Sequence, residues 1–198
     1  MSHRISNSLQ IIASILLMKA RAVDSPETRL HLEDAHRRIV SIASVQRHLQ
    51  ATSHGTMISV ASYLSKLCES LGDSMIGDTR PVSLTVVADD GAVDSAQAIC
   101  IGLIVTELVI NALKYAFADD RTGARVIVGY ESDGANWKLT VSDNGRGIAD
   151  DSKAGLGRSL VKALAEQLEG KVEIKTGPAG TTVSITHATF TSRLPTAA

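Results

Sequence analysis

The chain has 198 residues, of which 44% are apolar, so it can bury the core of one large domain or two small ones and is not a disordered or fibrous protein. Its 20 Lys and Arg residues against 21 Asp and Glu residues leave a net charge of −1, which gives no global attraction to nucleic acid or to an acidic membrane. Aromatic residues are only 3% of the chain, which disfavours base-stacking platforms, so any charged ligand must be bound at a local site.

The cysteines and the apolar runs bear on the cellular compartment. Cys68 and Cys100 each lie within an apolar helical pattern and have no partner close in sequence, which is typical of buried thiols in a reducing compartment. The apolar run at residues 11–18 is too short to cross a membrane and follows a polar start, so neither a membrane segment nor a signal peptide is predicted. We therefore expect a cytoplasmic protein.

Two amphipathic helices are predicted at the start of the chain. Residues 5–17 place apolar side chains at helical spacing, and a second apolar stripe runs from Pro26 to about Gln50. Between them Ser25 can cap the second helix, and Pro26 suits its first position. The short connection makes the pair an antiparallel hairpin. One hairpin cannot bury two apolar stripes, so we expect two copies to pair into a four-helix bundle, which makes the protein a homodimer.

The rest of the chain predicts one α/β domain, which follows a small and polar linker at residues 51–56. Helical patterns occur at residues 58–71, 96–116 and 159–168. Strand patterns occur at residues 82–87, 126–130, 137–142, 172–176 and 182–186, the last three spaced for antiparallel pairing. Because helices and strands alternate without a regular βαβ rhythm, we predict a mixed sheet with helices on one face, a two-layer α/β sandwich. The fold class is therefore α+β, a helical hairpin followed by this sandwich.

One predicted helix carries a polar stripe. Glu107, Asn111 and Lys114 are spaced i, i+4 and i+7, so a carboxylate, a carboxamide and an ammonium group share one helix face. These groups suit Mg²⁺ with a polyphosphate, because Mg²⁺ prefers oxygen ligands and Lys pairs with phosphate. A solvated surface stripe explains the same residues, and from this segment alone it is the better interpretation.

An aspartate follows at the end of a predicted strand. Asp143 precedes Gly145 and Gly147, and a carboxylate there can accept a hydrogen bond from an exocyclic amino group while glycines let the backbone approach a flat ring. The alternative is a β-hairpin, because Asn144 followed by Gly145 is a strong turn signal. The segment by itself leaves both interpretations open.

Two further segments are weak signals for a nucleotide site. Gly155 and Gly157 open a predicted helix, whose N-terminus can hold phosphate groups. Gly180 and Thr181 enter the last strand, where the hydroxyl can join a hydrogen-bond network around a base or simply occupy an edge strand.

Taken together, the four segments resemble the GHKL ATPase superfamily, which includes histidine kinases and gyrase, over residues 56–190. Their order is Glu-x-x-x-Asn, Asp-x-Gly-x-Gly, Gly-x-Gly at a helix start, and Gly-Thr before the terminal strand. The resemblance implies a Bergerat-type pocket for ATP and Mg²⁺, in which Asn111 binds the metal, Glu107 lies beside the metal or an attacking water, and Asp143 accepts from the adenine amino group. Further nucleotide contacts implied by the resemblance are Tyr115, Lys114 on phosphate, Gly145 and Gly147 along the base, the lid residues Gly155, Leu156 and Gly157, and Thr181.

The segment HRISNSLQ at residues 3–10 resembles the phosphoacceptor box of the HWE-like sensor histidine kinases and their sister HisKA group, roughly His-Arg-x-Lys-Asn-x-Leu. The resemblance implies that His3 accepts a phosphoryl group. A neutral imidazole is a competent nucleophile near pH 7, and Asn7, one turn further on the same helix face, can orient it. Ser6 stands where that group usually has Lys.

The two resemblances cover the whole chain and imply an ATP-dependent protein-histidine kinase core. Residues 1–53 would form the dimerisation and phosphotransfer hairpin, and residues 56–198 the ATP-binding catalytic domain. The core would autophosphorylate His3 and pass the phosphoryl group to an aspartate of a response-regulator receiver domain, under the control of a sensor domain that is separate or removed. Two alternatives stay open: a dimeric histidine phosphotransfer protein with an inactive ATPase-like domain, and a GHKL serine kinase or ATP-driven switch.

Overall fold

A computed structural model describes residues 2–33, 35–36, 39–40, 43, 57–76, 82–117, 122–148 and 156–188. The chain divides into two compact units, Met1–Gly55 and Thr56–Ala198, and each is described by itself.

The first unit is helical. Helix α1 spans Ser2–Ala22. The second helix, α2, is described at residues 26–33, 35–36, 39–40 and 43. The Ser25 hydroxyl accepts a hydrogen bond from the Thr28 amide at 3.3 Å, so this residue caps α2 as its position predicts. Nδ1 of His36 donates to the Ala13 carbonyl oxygen at 2.7 Å and connects the two helices. The predicted end of the second helix, like the linker at residues 51–56, lies outside the described residues.

Within its described residues, the second unit contains three helices and a five-stranded sheet. The helices are α3 (Val60–Met75), α4 (Ser95–Tyr115) and α5 (Leu156–Gln167). The sheet strands are β2 (Val82–Ala88), β4 (Ala124–Asp133), β5 (Asn136–Asp143), β6 (Lys171–Gly177) and β7 (Gly180–His187). A separate short pair joins β1 (Ile58–Ser59) to β3 (Ala92–Val93).

The sheet order is β2-β4-β5-β7-β6, with β2 parallel to β4 and every other neighbouring pair antiparallel. One face of the sheet is apolar: Val128, Val141 and Val183 lie side by side across the three central strands, and all three are buried. Helix α4 contacts α3, α5 and the central strands on this face, so the hydrophobic core lies between one helical layer and one sheet. The predicted α+β class and two-layer sandwich are confirmed.

The starts of two helices differ from the sequence prediction in ways that capping explains. Helix α3 begins at Val60, later than predicted, because Ser59 is extended and its hydroxyl accepts from the Ser62 amide at 3.4 Å. Helix α4 begins at Ser95 because Asp94 and Gln97 form a reciprocal capping box. The short strands β1 and β3 have no hydrophobic alternation of their own and were not predicted.

Among the described helices, α4 is the one long and apolar enough to cross a membrane by length and composition. In its most apolar window 67% of the helix is buried inside the second unit, as the core helix of a folded domain requires.

The two thiols are free. Cys68 is buried as predicted, and burial raises the pKa of its thiol to about 12. Cys100 is only half-buried, and burial together with the nearby Asp94 carboxylate raises its pKa as well. Both thiols are therefore protonated at neutral pH.

Candidate functional site: the end of helix α4 and the turn after strand β5

The polar stripe of α4 lies partly inside the domain. The side chain of Glu107 is only 4% exposed, and Nδ2 of Asn111 lies 3.5 Å from its Oε1, at the long limit for a hydrogen bond. Lys114 is half-buried one turn further, with its Nζ 5.9 Å from the centre of the Tyr115 ring. Because Glu107 is enclosed, the alternative of a solvated surface stripe does not describe this helix face.

Asp143 ends β5 with its carboxylate held by backbone amides. The residue is 8% exposed, and Oδ1 accepts from the amide of Gly145 at 2.8 Å and from that of Thr181 at 3.3 Å. Thr181 is the register partner of Asp143 on β7, so the sheet places this second donor. Two N–H groups on one oxygen fix the orientation of the carboxylate before any ligand arrives.

The turn after β5 contacts the C-terminal end of α4. The amide of Arg146 donates to the Ala116 carbonyl at 2.9 Å, and its guanidinium Nε donates to the Tyr115 carbonyl at 2.9 Å. A Cβ atom on Gly145 would collide with the side chain and backbone of Ala116, so only glycine permits this approach. The turn thereby brings Asp143 next to the helix that carries Glu107, Asn111 and Lys114.

The hairpin alternative for Asn144 and Gly145 is wrong. The next residues leave the sheet, and the Asn144 side chain joins β4 instead: its Oδ1 accepts from the Arg125 amide at 2.9 Å and its Nδ2 donates to the Gly123 carbonyl at 3.0 Å. The asparagine therefore fastens the end of β5 to the start of β4, a role that a turn-forming Asn-Gly pair does not need.

A threonine that the sequence analysis missed completes this side of the site. Thr176 Oγ1 accepts from the Ile148 amide at 2.8 Å and lies 3.2 Å from Oγ1 of Thr181, its register partner across β6 and β7. Gly147, with a φ of +76°, packs its Cα against the backbone of Gly177. Thr176 and Thr181 are equally far from the turn between β6 and β7, so they lie opposite each other. This spacing is the sequence signal from which the pair could have been predicted.

The predicted lid residues are only partly described. Gly157 is buried in the first turn of α5, and Leu156 begins that helix with its side chain outside the described part. Gly155 lies outside the described residues. His3 and Asn7 belong to α1, and their side chains are also outside the described part of the chain.

The residues of α4 fit a magnesium ion that is completed by phosphate. A carboxylate and a carboxamide oxygen are hard ligands of the kind that Mg²⁺ binds, and Mg²⁺ commonly uses one or two protein groups with substrate phosphates and water. Across the described part of the chain, no group of three or more His, Cys, Asp or Glu side chains could hold a metal alone. The donor set therefore suits a metal that arrives with a nucleotide.

The fold and the arrangement of the site residues resemble a GHKL-type domain, and comparison with known families is consistent with this resemblance. Residues 97–192 match the family described as histidine kinase-, DNA gyrase B-, and HSP90-like ATPase. Residues 1–75 match the histidine kinase family HisKA_2. The chain therefore carries a segment similar to the HisKA_2 histidine kinases followed by a segment similar to their ATPase domains.

Two of the curated relatives are histidine kinases. The chain is 29% identical over 186 residues to the sensor histidine kinase PdtaS of Mycolicibacterium smegmatis, covering 91% of this chain and 37% of the relative. It is 26% identical over 191 residues to the blue-light-activated histidine kinase 2 of Erythrobacter litoralis, covering 92% of this chain and 54% of the relative. The chain thus spans about two fifths to half of the length of these proteins.

A solved structure shares the fold. The histidine kinase domain of a blue-light-activated histidine kinase from Erythrobacter litoralis has a TM-score of 0.69 and 23% sequence identity, over 91% of this chain and 94% of that one.

Proposed function

We propose that the chain is the catalytic core of an ATP-dependent protein-histidine kinase that phosphorylates His3. The observation that carries the proposal is the turn at Gly145 and Arg146, which joins the buried carboxylate of Asp143 to the end of the helix bearing Glu107 and Asn111. A nucleotide has a base at one end and phosphates at the other, and these two groups of side chains match its two ends.

In this proposal each group has a defined task. Asp143 accepts a hydrogen bond from the adenine amino group, and its fixed Oδ1 keeps the carboxylate from turning away. Lys114 pairs with a phosphate, and Glu107 and Asn111 hold Mg²⁺ beside it. The metal supplies neutralisation of the phosphate charge when it is bound. Catalysis is then mainly positioning and charge stabilisation.

The phosphoryl acceptor is His3 on α1. A lone pair of its imidazole forms the N–P bond while the bond between the γ-phosphorus and the bridging oxygen breaks, and ADP leaves with that electron pair. The proton on the other ring nitrogen is released to water. Asn7 orients the imidazole from the next turn, and Ser6, in place of the usual Lys, offers no second cation at this point. The phosphoryl group then passes to an aspartate of a response-regulator receiver domain.

We further propose that two copies of the chain assemble through the helical unit. Ile11, Ile15 and Met18 form one stripe of α1 at i, i+4 and i+7, and they are 62%, 46% and 65% exposed in the single chain. Leu30 on α2 is also exposed. Exposed aliphatic side chains at this spacing are typical of a helix that packs against another, which supports a four-helix bundle of two hairpins. The cytoplasm, where ATP and receiver domains are found, is the expected compartment.

The test is phosphorylation of the purified chain with γ-labelled ATP and Mg²⁺. Wild type should carry label that is lost in acid and kept in alkali, and His3→Ala and Asn111→Ala should carry none. His31→Ala is the matched control, because His31 is exposed on α2 and pairs only with Glu27 at 3.9 Å among its described contacts. Label that survives acid treatment would contradict a histidine kinase and favour a serine kinase. Absent label with intact ATP binding would contradict autophosphorylation by this chain.

A further inference from the structure

We propose that Arg146 is a positioning residue, which couples the adenine side of the pocket to its phosphate side by capping α4. This proposal rests on the proposed nucleotide-binding function and deepens it.

The cap consists of two hydrogen bonds from one residue. The last carbonyl groups of a helix have no partner within it, and Arg146 supplies donors to two consecutive ones: Nε to Tyr115 O and the backbone amide to Ala116 O, both at 2.9 Å. The guanidinium charge also lies at the negative end of the helix dipole. Either effect alone would stabilise the helix end.

The same contact is the short connection between the two halves of the pocket. Along the chain, Asp143 and Asn111 are separated by the whole of β4 and β5. Through the Arg146 contact the path is short, because Arg146 is three positions after Asp143 and Tyr115 is four positions after Asn111. A nucleotide contacts the adenine side and the phosphate side of the pocket at once. A short and rigid connection between the two sides raises its affinity, because it holds them at the right distance from each other.

Two substitutions separate the hydrogen bond from the charge. Gln places its Nε2 the same number of bonds from Cα as the Nε of Arg, so Arg146→Gln keeps a donor for Tyr115 O and removes the charge. Arg146→Met has a similar length without a donor. Both variants keep the backbone bond to Ala116 and change an exposed side chain, so both should fold. Lys162→Met, on an exposed position of α5, is the control for the loss of one positive charge.

The measurement is the dissociation constant of adenosine and of ADP with Mg²⁺, by competition on the full chain, with a thermal melt of each variant. Adenosine reports the Asp143 side alone, and ADP reports both sides. The advantage of ADP is the ratio of the adenosine dissociation constant to the ADP dissociation constant. In Arg146→Met this ratio should decrease by a factor of about 3 to 10, which is the effect of one hydrogen bond of ordinary strength. Arg146→Gln and Lys162→Met should keep the wild-type advantage. A general loss of stability would weaken both ligands equally.

Three results would overturn the proposal. An unchanged ADP advantage in Arg146→Met means that the hydrogen bond from the Arg146 side chain to Tyr115 O does not couple the adenine side of the pocket to its phosphate side. An equal loss in Arg146→Gln and Arg146→Met means that the guanidinium acts on phosphate through its charge instead. If wild type binds neither ligand, the proposed nucleotide pocket itself is wrong, which the first two results do not imply.

Discussion

Replacing Asp143 by Asn and by Ala separates its part in folding from its part in binding. Oδ1 accepts from the Gly145 and Thr181 amides at 2.8 and 3.3 Å. Asn keeps one carbonyl oxygen, which can accept from both amides, but turns the other oxygen into an NH₂ donor. Ala removes both acceptors. We therefore expect Asp143→Asn to fold like wild type and to bind adenine nucleotides poorly, whereas Asp143→Ala loses stability as well.

The magnitudes follow from the number of groups left unpaired. In the Ala variant two largely enclosed N–H groups lose their acceptor, at a cost of about 1–2 kcal/mol each, which lowers the melting temperature by about 5–15 °C. The Asn variant should stay within about 1 kcal/mol of wild type. Its ADP dissociation constant should rise by about 10- to 100-fold, because a charge-assisted hydrogen bond to the adenine amino group is replaced by two opposed donors.

Thermal melts and ADP competition on the same preparations give both quantities. Asp133→Asn is the matched control, since Asp133 is an exposed carboxylate at the far end of β4 and should change neither. The reasoning is refuted if Asn destabilises as much as Ala, because the charge and not the acceptor would then hold the turn. It is equally refuted if the Asn variant binds ADP like wild type.

Three other predictions concern the helical unit, the turn and the thiols. Ile15→Glu should convert a dimer of twice 20.9 kDa into a monomer by light scattering, whereas Lys19→Glu should not; a wild-type monomer at micromolar concentration would contradict the bundle. Gly145→Ala should destabilise by about 1–3 kcal/mol in a thermal melt because its Cβ meets the end of α4, while Gly72→Ala, whose nearest neighbour is 3.8 Å away, should be neutral or stabilising. Cys68, with its pKa raised to about 12, should resist alkylation near pH 8 in the native protein and react once unfolded; rapid native labelling would show that it is accessible as thiolate.

Local signals account for what the sequence predicts well. Ser25 caps α2 where its position indicates, because an N-cap depends on residues within one turn of it. The strands β5, β6 and β7 are antiparallel as their spacing indicates. The order of the four site segments is the basis of the nucleotide pocket, which stays a prediction, because each segment alone was weak, ambiguous or better explained by a simpler structure.

Contacts between distant segments account for what the sequence does not show. The sequence around Asn144 is typical of a hairpin turn, but its side chain hydrogen-bonds to the start of β4, some twenty residues earlier in the chain. Arg146 has no pattern that marks it as a helix cap, because the helix it caps ended thirty positions before. The parallel pairing of β2 with β4 is likewise set by packing and not by either strand alone.

The parallel pairing of β2 with β4 has a consequence for local unfolding of the domain. Parallel neighbours cannot be joined by a tight turn, and here the crossover from β2 to β4 consists of β3 and α4. Helix α3 packs on both β2 and α4, and α4 packs on β4, so we expect β2 and α4 to form one cooperative unit in native-state hydrogen exchange. At the opposite edge of the sheet, β6 pairs only with β7 among the described strands, so β6 can exchange independently of β2. A ligand held by α4 would slow exchange at a strand it never touches.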